Sequence, residues 1–208
     1  MGKSILIAVA ALIVSASSAL AAGPYLGANI GFGIIHDSDV EFSATGYKSQ
    51  TLKTEFDTGF AFDLAAGYKF NENIRAEGEF GYLSADVDKV DGETAKNAEV
   101  RFMTFMANGY YDITQLKIPV IPFVGVGMGL LHGKMKNDNG SDTDITFGYQ
   151  LMAGASYAFN KNISADLRYR LQGVFSDFEF EEKINNVKVT EKFPYMSSSF
   201  LAGIRYNF

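Results

Sequence analysis

The sequence has no cysteine and no tryptophan, and its 208 residues include only two histidines and four prolines. Without cysteine there is no disulfide, no thiolate metal site, no cysteine nucleophile and no lipidated N-terminal cysteine. His36 and His132 are too few for a histidine metal cluster. Charged residues are sparse, at 20 % against about 25 % in average proteins. Acidic residues (24) outnumber basic ones (18), giving a net charge of −6. That balance argues against nucleic acid, whose phosphates demand a basic face. Beyond the first twenty positions no apolar run reaches the length of a spanning helix, about 20 residues. The longest, Ile118 to Leu131, is broken by Pro119, Pro122 and three glycines. What is plentiful is glycine, 21 residues, and aromatic side chains, 14 %. This profile leans toward β-structure.

The N-terminus has the three-part layout of a secretory leader. Met1-Gly2-Lys3 supplies a positive charge, Ile5 to Val14 is apolar, and Ala19-Leu20-Ala21 offers a small-residue cleavage site. The expected division is a signal peptide over 1–21 and a single domain over 22–208. Loss of Lys3 with the leader shifts the net charge one unit further negative.

The rest of the chain alternates with period two, the signature of strands. In Leu26 to Ile34 every even position is apolar and every odd one is glycine or asparagine. Phe60 to Phe70, Ile163 to Gln172 and Phe200 to Phe208 repeat the rule. Eight such runs are expected, at about 25–35, 59–70, 74–84, 99–111, 120–131, 147–159, 163–172 and 196–208. In the fourth, Met103, Phe105 and Ala107 compete with Phe102, Thr104 and Met106 for the outward face. Short connections, such as Asn71-Glu72-Asn73 and Asn160-Lys161-Asn162, alternate with long polar ones near 36–55, 85–98, 132–146 and 173–195. Residues 66–76 and 155–165 match at seven of eleven positions, as two hairpins built alike in an up-and-down meander would.

The polar faces of these runs are selective. All five arginines fall in the strand runs, whereas all nine basic residues of the four long connections are lysines. Arginine's planar fork suits crowded, paired sites, and lysine suits open water. Asp63, Glu77, Glu79 and Asp166 share the arginine face. A confined interior is therefore expected, with a polar network of Asp63, Lys69, Arg75, Glu77, Glu79, Asp166, Arg168, Arg170 and Arg205. Apolar residues then face outward all round, which only lipid tolerates, and a closed barrel is the only sheet without an unpaired edge in hydrocarbon. Runs of this length cross a tilted bilayer. Tyr68, Phe70, Tyr82, Tyr111, Tyr149, Tyr157, Phe159, Tyr206 and Phe208 stand near strand ends, where interfacial girdles belong. The fold class is all-β: an eight-stranded antiparallel up-and-down transmembrane β-barrel.

The leader, the eight alternating runs, the short and long connections and the terminal Tyr206-Asn207-Phe208 resemble the small outer-membrane β-barrel family. That family includes the transmembrane domain of outer membrane protein A and the opacity-type surface antigens. The resemblance implies insertion in the cell outer membrane of a Gram-negative bacterium, among its lipids and lipopolysaccharide. It also implies handling by periplasmic chaperones and the barrel-assembly machinery, with Tyr206 and Phe208 as the assembly signal. No peptidoglycan-binding domain is expected, so the anchoring role of longer relatives is not implied.

Eight strands spaced about 4.8 Å apart and tilted near 40° enclose a diameter of roughly 16 Å, which side chains largely fill. The favoured function is a plugged barrel with a structural or surface-interaction role, adhesin- or antigen-like. A narrow porin-like channel is the alternative, and a lipid-modifying enzyme a lesser one. The long connections hold sixteen acids against nine lysines, so the charge imbalance collects at one end. Phe178, Phe180, Val187 and Val189 flank Asn185-Asn186 in what reads as a projecting hairpin, a candidate contact surface for a host or cell-surface partner. Asn137 to Asp144 fails as a calcium loop because Met135 stands where the first acid is required. His36-Asp37-Ser38 resembles the His-x-Ser spacing of outer-membrane lipid A deacylases, but a polar turn explains it better, and His132 is expected to cap the fifth run. No catalytic, cofactor or metal residues are assigned.

Overall fold

The computed structural model describes residues 22–44, 50–90, 92–94, 99–116, 118–137, 140–184 and 187–208. The leader expected at 1–21 and the Asn185-Asn186 tip lie outside the described residues. Eight long strands form the barrel: β1 (Gly23–Ile35), β4 (Thr58–Lys69), β5 (Ile74–Val90), β7 (Glu99–Asp112), β8 (Val120–Asn137), β9 (Gly140–Ala158), β10 (Ile163–Val174) and β13 (Met196–Asn207). Each pairs antiparallel with its neighbour, and the ring closes through β1 and β13, from Tyr25↔Asn207 to Ile35↔Ser197.

The short turns have a local cause. Asn71 Oδ1 accepts the amides of Asn73 (2.8 Å) and Ile74 (2.9 Å), while the Phe70 amide donates to the Ile74 carbonyl. Asn160 does the same for Asn162 and Ile163, with Phe159 donating to the Ile163 carbonyl. The sequence echo is thus one turn built twice: an asparagine side chain satisfying the backbone donors that a tight reversal exposes. Both chain ends of the barrel lie with these turns, which is the periplasmic side of such barrels.

The outer wall is apolar. Ile30, Val126, Leu167 and Ile204 are each at least 60 % exposed, a surface fit for hydrocarbon. In β7 the competition resolves with Phe105 outward and Phe102, Thr104 and Met106 buried within.

Above this belt the polar connections prove to be largely strand. β2 (Ser38–Ala44) continues β1, β3 (Gln50–Phe56) precedes β4, β11 (Phe178–Ile184) continues β10, and β12 (Val187–Phe193) leads into β13. A short β6 (Glu93–Thr94) pairs with β5. These strands pair in the order β11-β12-β2-β3-β5, so an extracellular tier repeats the strand order of the barrel beneath it. His132 does not cap β8, which runs on to Asn137, because Lys134 and Lys136 extend the alternation and pair with β9.

Candidate functional site

Inward-facing side chains fill the lumen in three storeys. The lowest, at the periplasmic mouth, centres on Arg75 and Arg205. Arg75 donates from Nε to Asp112 Oδ1 (3.0 Å), and its guanidinium stacks 3.9 Å above the Tyr110 ring. Gly125 makes room for that ring: a Cβ at this position would collide with Tyr110. Arg205 donates to Ser156 Oγ (2.8 Å), which itself donates to Asp166 Oδ1 (2.6 Å). Lys69 is half-buried at the rim of this storey and makes none of the ion pairs formed among the described residues.

The middle storey is ionic. Glu79 accepts from Arg168 Nη1 (2.8 Å) through one oxygen and from Arg170 Nη1 (2.9 Å) through the other. Asp63 Oδ2 stands 3.7 Å from Arg168 Nη1 and 3.5 Å from Arg170 Nη1, and Asn29 donates to the other Asp63 oxygen. Glu77 takes the hydroxyls of Tyr25 and Tyr110, both at 2.7 Å, and lies 3.6 Å from Arg168 Nη2. Gln150 donates to Asn108 Oδ1 (2.7 Å) and accepts from Gln172 (3.0 Å). Every one of these side chains is buried. Charges taken so far from water persist only where each is paired and hydrogen-bonded, and the two-oxygen use of Glu79 does that for two arginines at once.

The upper storey is apolar, which the alternation argument does not foresee. Leu83, Phe102, Leu131, Phe178, Phe193, Tyr195 and Leu201 form one buried cluster. The Phe102 ring lies 4.2 Å from that of Tyr195 and 5.5 Å from that of Phe178. Gly133 admits both phenylalanines, since a Cβ there would meet Phe178 at 3.0 Å and Phe102 at 3.2 Å. Tyr195 joins the storeys by donating to Gln172 Oε1 (3.1 Å).

Two expectations need correction. Phe178 is not an exposed contact residue: it is fully buried, because at the base of β11 its ring turns inward against Phe102 and Tyr195 in the barrel mouth. The side chains of Phe180, Val187 and Val189 lie outside what the structure describes, although their backbones form β11 and β12. Arg101 departs from the other arginines. It is exposed at the extracellular end of β7 and pairs with Glu99 (2.6 Å).

Several interior residues escaped the sequence reading. Asn29 and Gln172 were in phase with inward neighbours, so alternation alone could have found them. Tyr25 and Tyr110 were hidden because an aromatic residue near a strand end reads equally as girdle. Of the expected girdle, Phe70, Tyr111, Tyr157, Phe159, Tyr206 and Phe208 are exposed, and Tyr68, Tyr82 and Tyr149 are half-buried. His36 Nε2 bonds Ser198 Oγ (2.9 Å) across from β13, and the Ser38 side chain lies outside the described residues.

Residues 4–208 match the family described as the outer membrane protein beta-barrel domain. The chain belongs to this family. It is an outer-membrane barrel of Gram-negative type. An outer membrane protein of Gluconacetobacter diazotrophicus is 26 % identical over 96 % of this chain, which spans 61 % of that relative's length. A putative adhesin of Rickettsia conorii is 27 % identical over 77 % of this chain and 73 % of its own. Among solved structures, OprG from Pseudomonas aeruginosa aligns with a TM-score of 0.66 at 18 % identity, covering 90 % of this chain and 97 % of OprG. Neisserial surface protein A aligns at 0.58 and 21 %, covering 90 % of this chain and 99 % of its own. At these identities the structures speak for fold.

Proposed function

We propose that this chain is a sealed outer-membrane barrel whose work is done by its extracellular tier, as a surface-interaction protein. The observation that carries the reading is the filling of the lumen: an ionic storey centred on Glu79, Arg168 and Arg170 beneath an aromatic one centred on Phe102, Phe178 and Tyr195. A permeating ion would have to break buried pairs and then cross an apolar layer. The extracellular tier, by contrast, carries strands that span no bilayer, and a relative of similar length bears the name of a putative adhesin. In this reading the acidic loops are solvated partner-facing surface, Tyr206 and Phe208 are the assembly signal, and no chemistry is catalysed.

Two measurements test it. In planar bilayers the purified mature protein passes no steady ohmic current at neutral pH, and a stable channel would overturn the sealed lumen. A non-adherent laboratory Gram-negative strain displaying the protein gains adherence to epithelial layers over the same strain without it. Equal adherence would overturn the surface role.

A further inference from the structure

Above the membrane belt the described lysines fall into two groups. Lys53 pairs with Asp37 (3.2 Å), Lys89 with Asp88 (3.4 Å) and Lys192 with Glu179 (3.3 Å). Lys134 and Lys136 on β8, in phase with the exposed Leu130 and so on the outer face, enter none of the ion pairs formed among the described residues.

The neighbouring acids do not serve these two lysines. Asp142 and Asp144 on β9 lie opposite Met135 and Gly133, one residue out of phase, so they belong to the other face of the sheet. Opposite Lys134 and Lys136 stand Thr143 and Ser141, which carry no charge. Toward β7, Lys136 lies opposite Glu99, but that carboxylate already accepts from Arg101 Nε (2.7 Å), Arg101 Nη2 (2.6 Å) and Ser84 Oγ (2.7 Å). Asp86 stands beyond Glu99 on β5, two strand spacings or about 10 Å from β8. Lys134 lies opposite Arg101 itself, and like charges directly across a ladder destabilise it. Glu99 engages Nε and Nη2 of Arg101, so Nη1 remains available as a donor. Three cations thus share one outward sector, with a single acid among them that is already engaged.

The height of this sector says what faces it. Ile145, 61 % exposed on the same face, lies opposite His132, and Lys134 is the next pair up. That step is about 7 Å along a strand, or about 5 Å in height at a tilt near 40°. The headgroup layer adds roughly 5–8 Å to the hydrocarbon on each side, so Lys134 and Arg101 stand within it. We propose that Arg101, Lys134 and Lys136 form a binding site for the phosphate of an outer-leaflet glycolipid, the lipid A of lipopolysaccharide. A phosphate between Arg101 and Lys134 converts their repulsion into two charge-assisted hydrogen bonds, and Lys136 adds a third donor above. The acyl chains of the same molecule then lie on the exposed Phe105, Leu130, Ile145 and Phe147 directly beneath, so headgroup and chains are held on one side of the barrel. This inference goes beyond the surface-interaction reading and rests only on the placement in the outer membrane.

The test titrates the full mature protein in neutral detergent micelles and counts retained lipid by native mass spectrometry. Three probes are used: lipid A carrying both phosphates, the same lipid A with both removed, and inorganic phosphate as a competitor. The phosphorylated lipid binds saturably, and the dephosphorylated one binds at least about tenfold more weakly. Inorganic phosphate in large excess does not displace the lipid, since a free anion gains nothing from the apolar wall. Lys134→Gln/Lys136→Gln, with its barrel checked by heat-modifiable gel migration, weakens binding of the phosphorylated lipid at least about tenfold. Lys53→Gln/Lys192→Gln removes the same charge from lysines that are already paired and leaves that affinity unchanged. Equal binding of the two lipids, unchanged affinity in the β8 variant, or an equal loss in the control variant overturns the proposal. Displacement by inorganic phosphate also overturns it, by showing a site for free anions and not for a lipid.

Discussion

At the scale of single residues, the decisive contrast is between neighbours on β10. Leu167 is 65 % exposed on the outer wall, and Asp166 and Arg168 beside it are buried within. Leu167→Arg places a guanidinium in hydrocarbon and is expected to cost about 2–4 kcal/mol, read from denaturant unfolding in lipid vesicles. Asp166→Asn keeps a hydrogen-bonding side chain beside Ser156 and Arg205 and costs less. Glu79 is a different case, since its two oxygens hold Arg168 and Arg170 separately. Glu79→Gln leaves two buried cations without their shared counter-charge, and removing one partner of a buried pair costs about 3–5 kcal/mol. The same unfolding assay checks it, and a loss no larger than that of Asp166→Asn would mean that water reaches the middle storey.

At the scale of elements, the membrane part of each strand was legible and its continuation was not. The reason is an inversion of pattern with height. Within the bilayer the wall is apolar outside and polar inside, as at Leu167 and Arg168. On β5 above the belt, Leu83, Ala85 and Val87 are buried inward while Asp86 and Asp88 face water, the arrangement of a soluble sheet. The period is still two, but the charges made 85–98 read as loop. On β8, Lys134 and Lys136 did the same. The ionic residues Asp63, Glu79, Arg168 and Arg170 were legible because arginine kept to the strand runs. The aromatic storey was not, since nothing local in Phe178 or Phe193 says that the base of the β11–β12 hairpin packs into the mouth. That hairpin yields a prediction of its own. Deleting Phe180 to Val189 spares Phe178 and Phe193, so the barrel keeps its heat-modifiable gel migration. Phe178→Ala removes an anchor that packs on Phe102 and Tyr195. It raises amide exchange across β11 and β12 more than it shifts global unfolding, because opening there is local. Equal effects on both would place the hairpin inside the barrel's own cooperative unit.

At the scale of the whole molecule, the sealed lumen proposed above is one closed twice in series, and series seals have a testable logic. The aromatic storey excludes ions because an apolar layer gives them no solvation. The ionic storey excludes them by occupancy, since Glu79 and Asp63 each already lie within 3.7 Å of both Arg168 and Arg170. Either seal alone is sufficient, so opening one leaves the other in force. The variant Phe102→Ala/Phe178→Ala widens the upper mouth yet passes no steady current in planar bilayers. Glu79→Ala with Arg168→Ala and Arg170→Ala thins the middle storey and leaves it one unit more negative, one acid lost against two bases, and it too stays silent beneath an intact aromatic layer. Only the combination conducts, with a preference for cations because Asp63 then lines the path without its two arginines and Glu77 keeps only Arg75, at 3.8 Å. Current through either partial variant would show that a single storey closes this barrel. Silence of the combined variant in a correctly inserted, heat-modifiable protein would shift the seal to the lowest storey, where Arg75 lies against Tyr110 and Phe123.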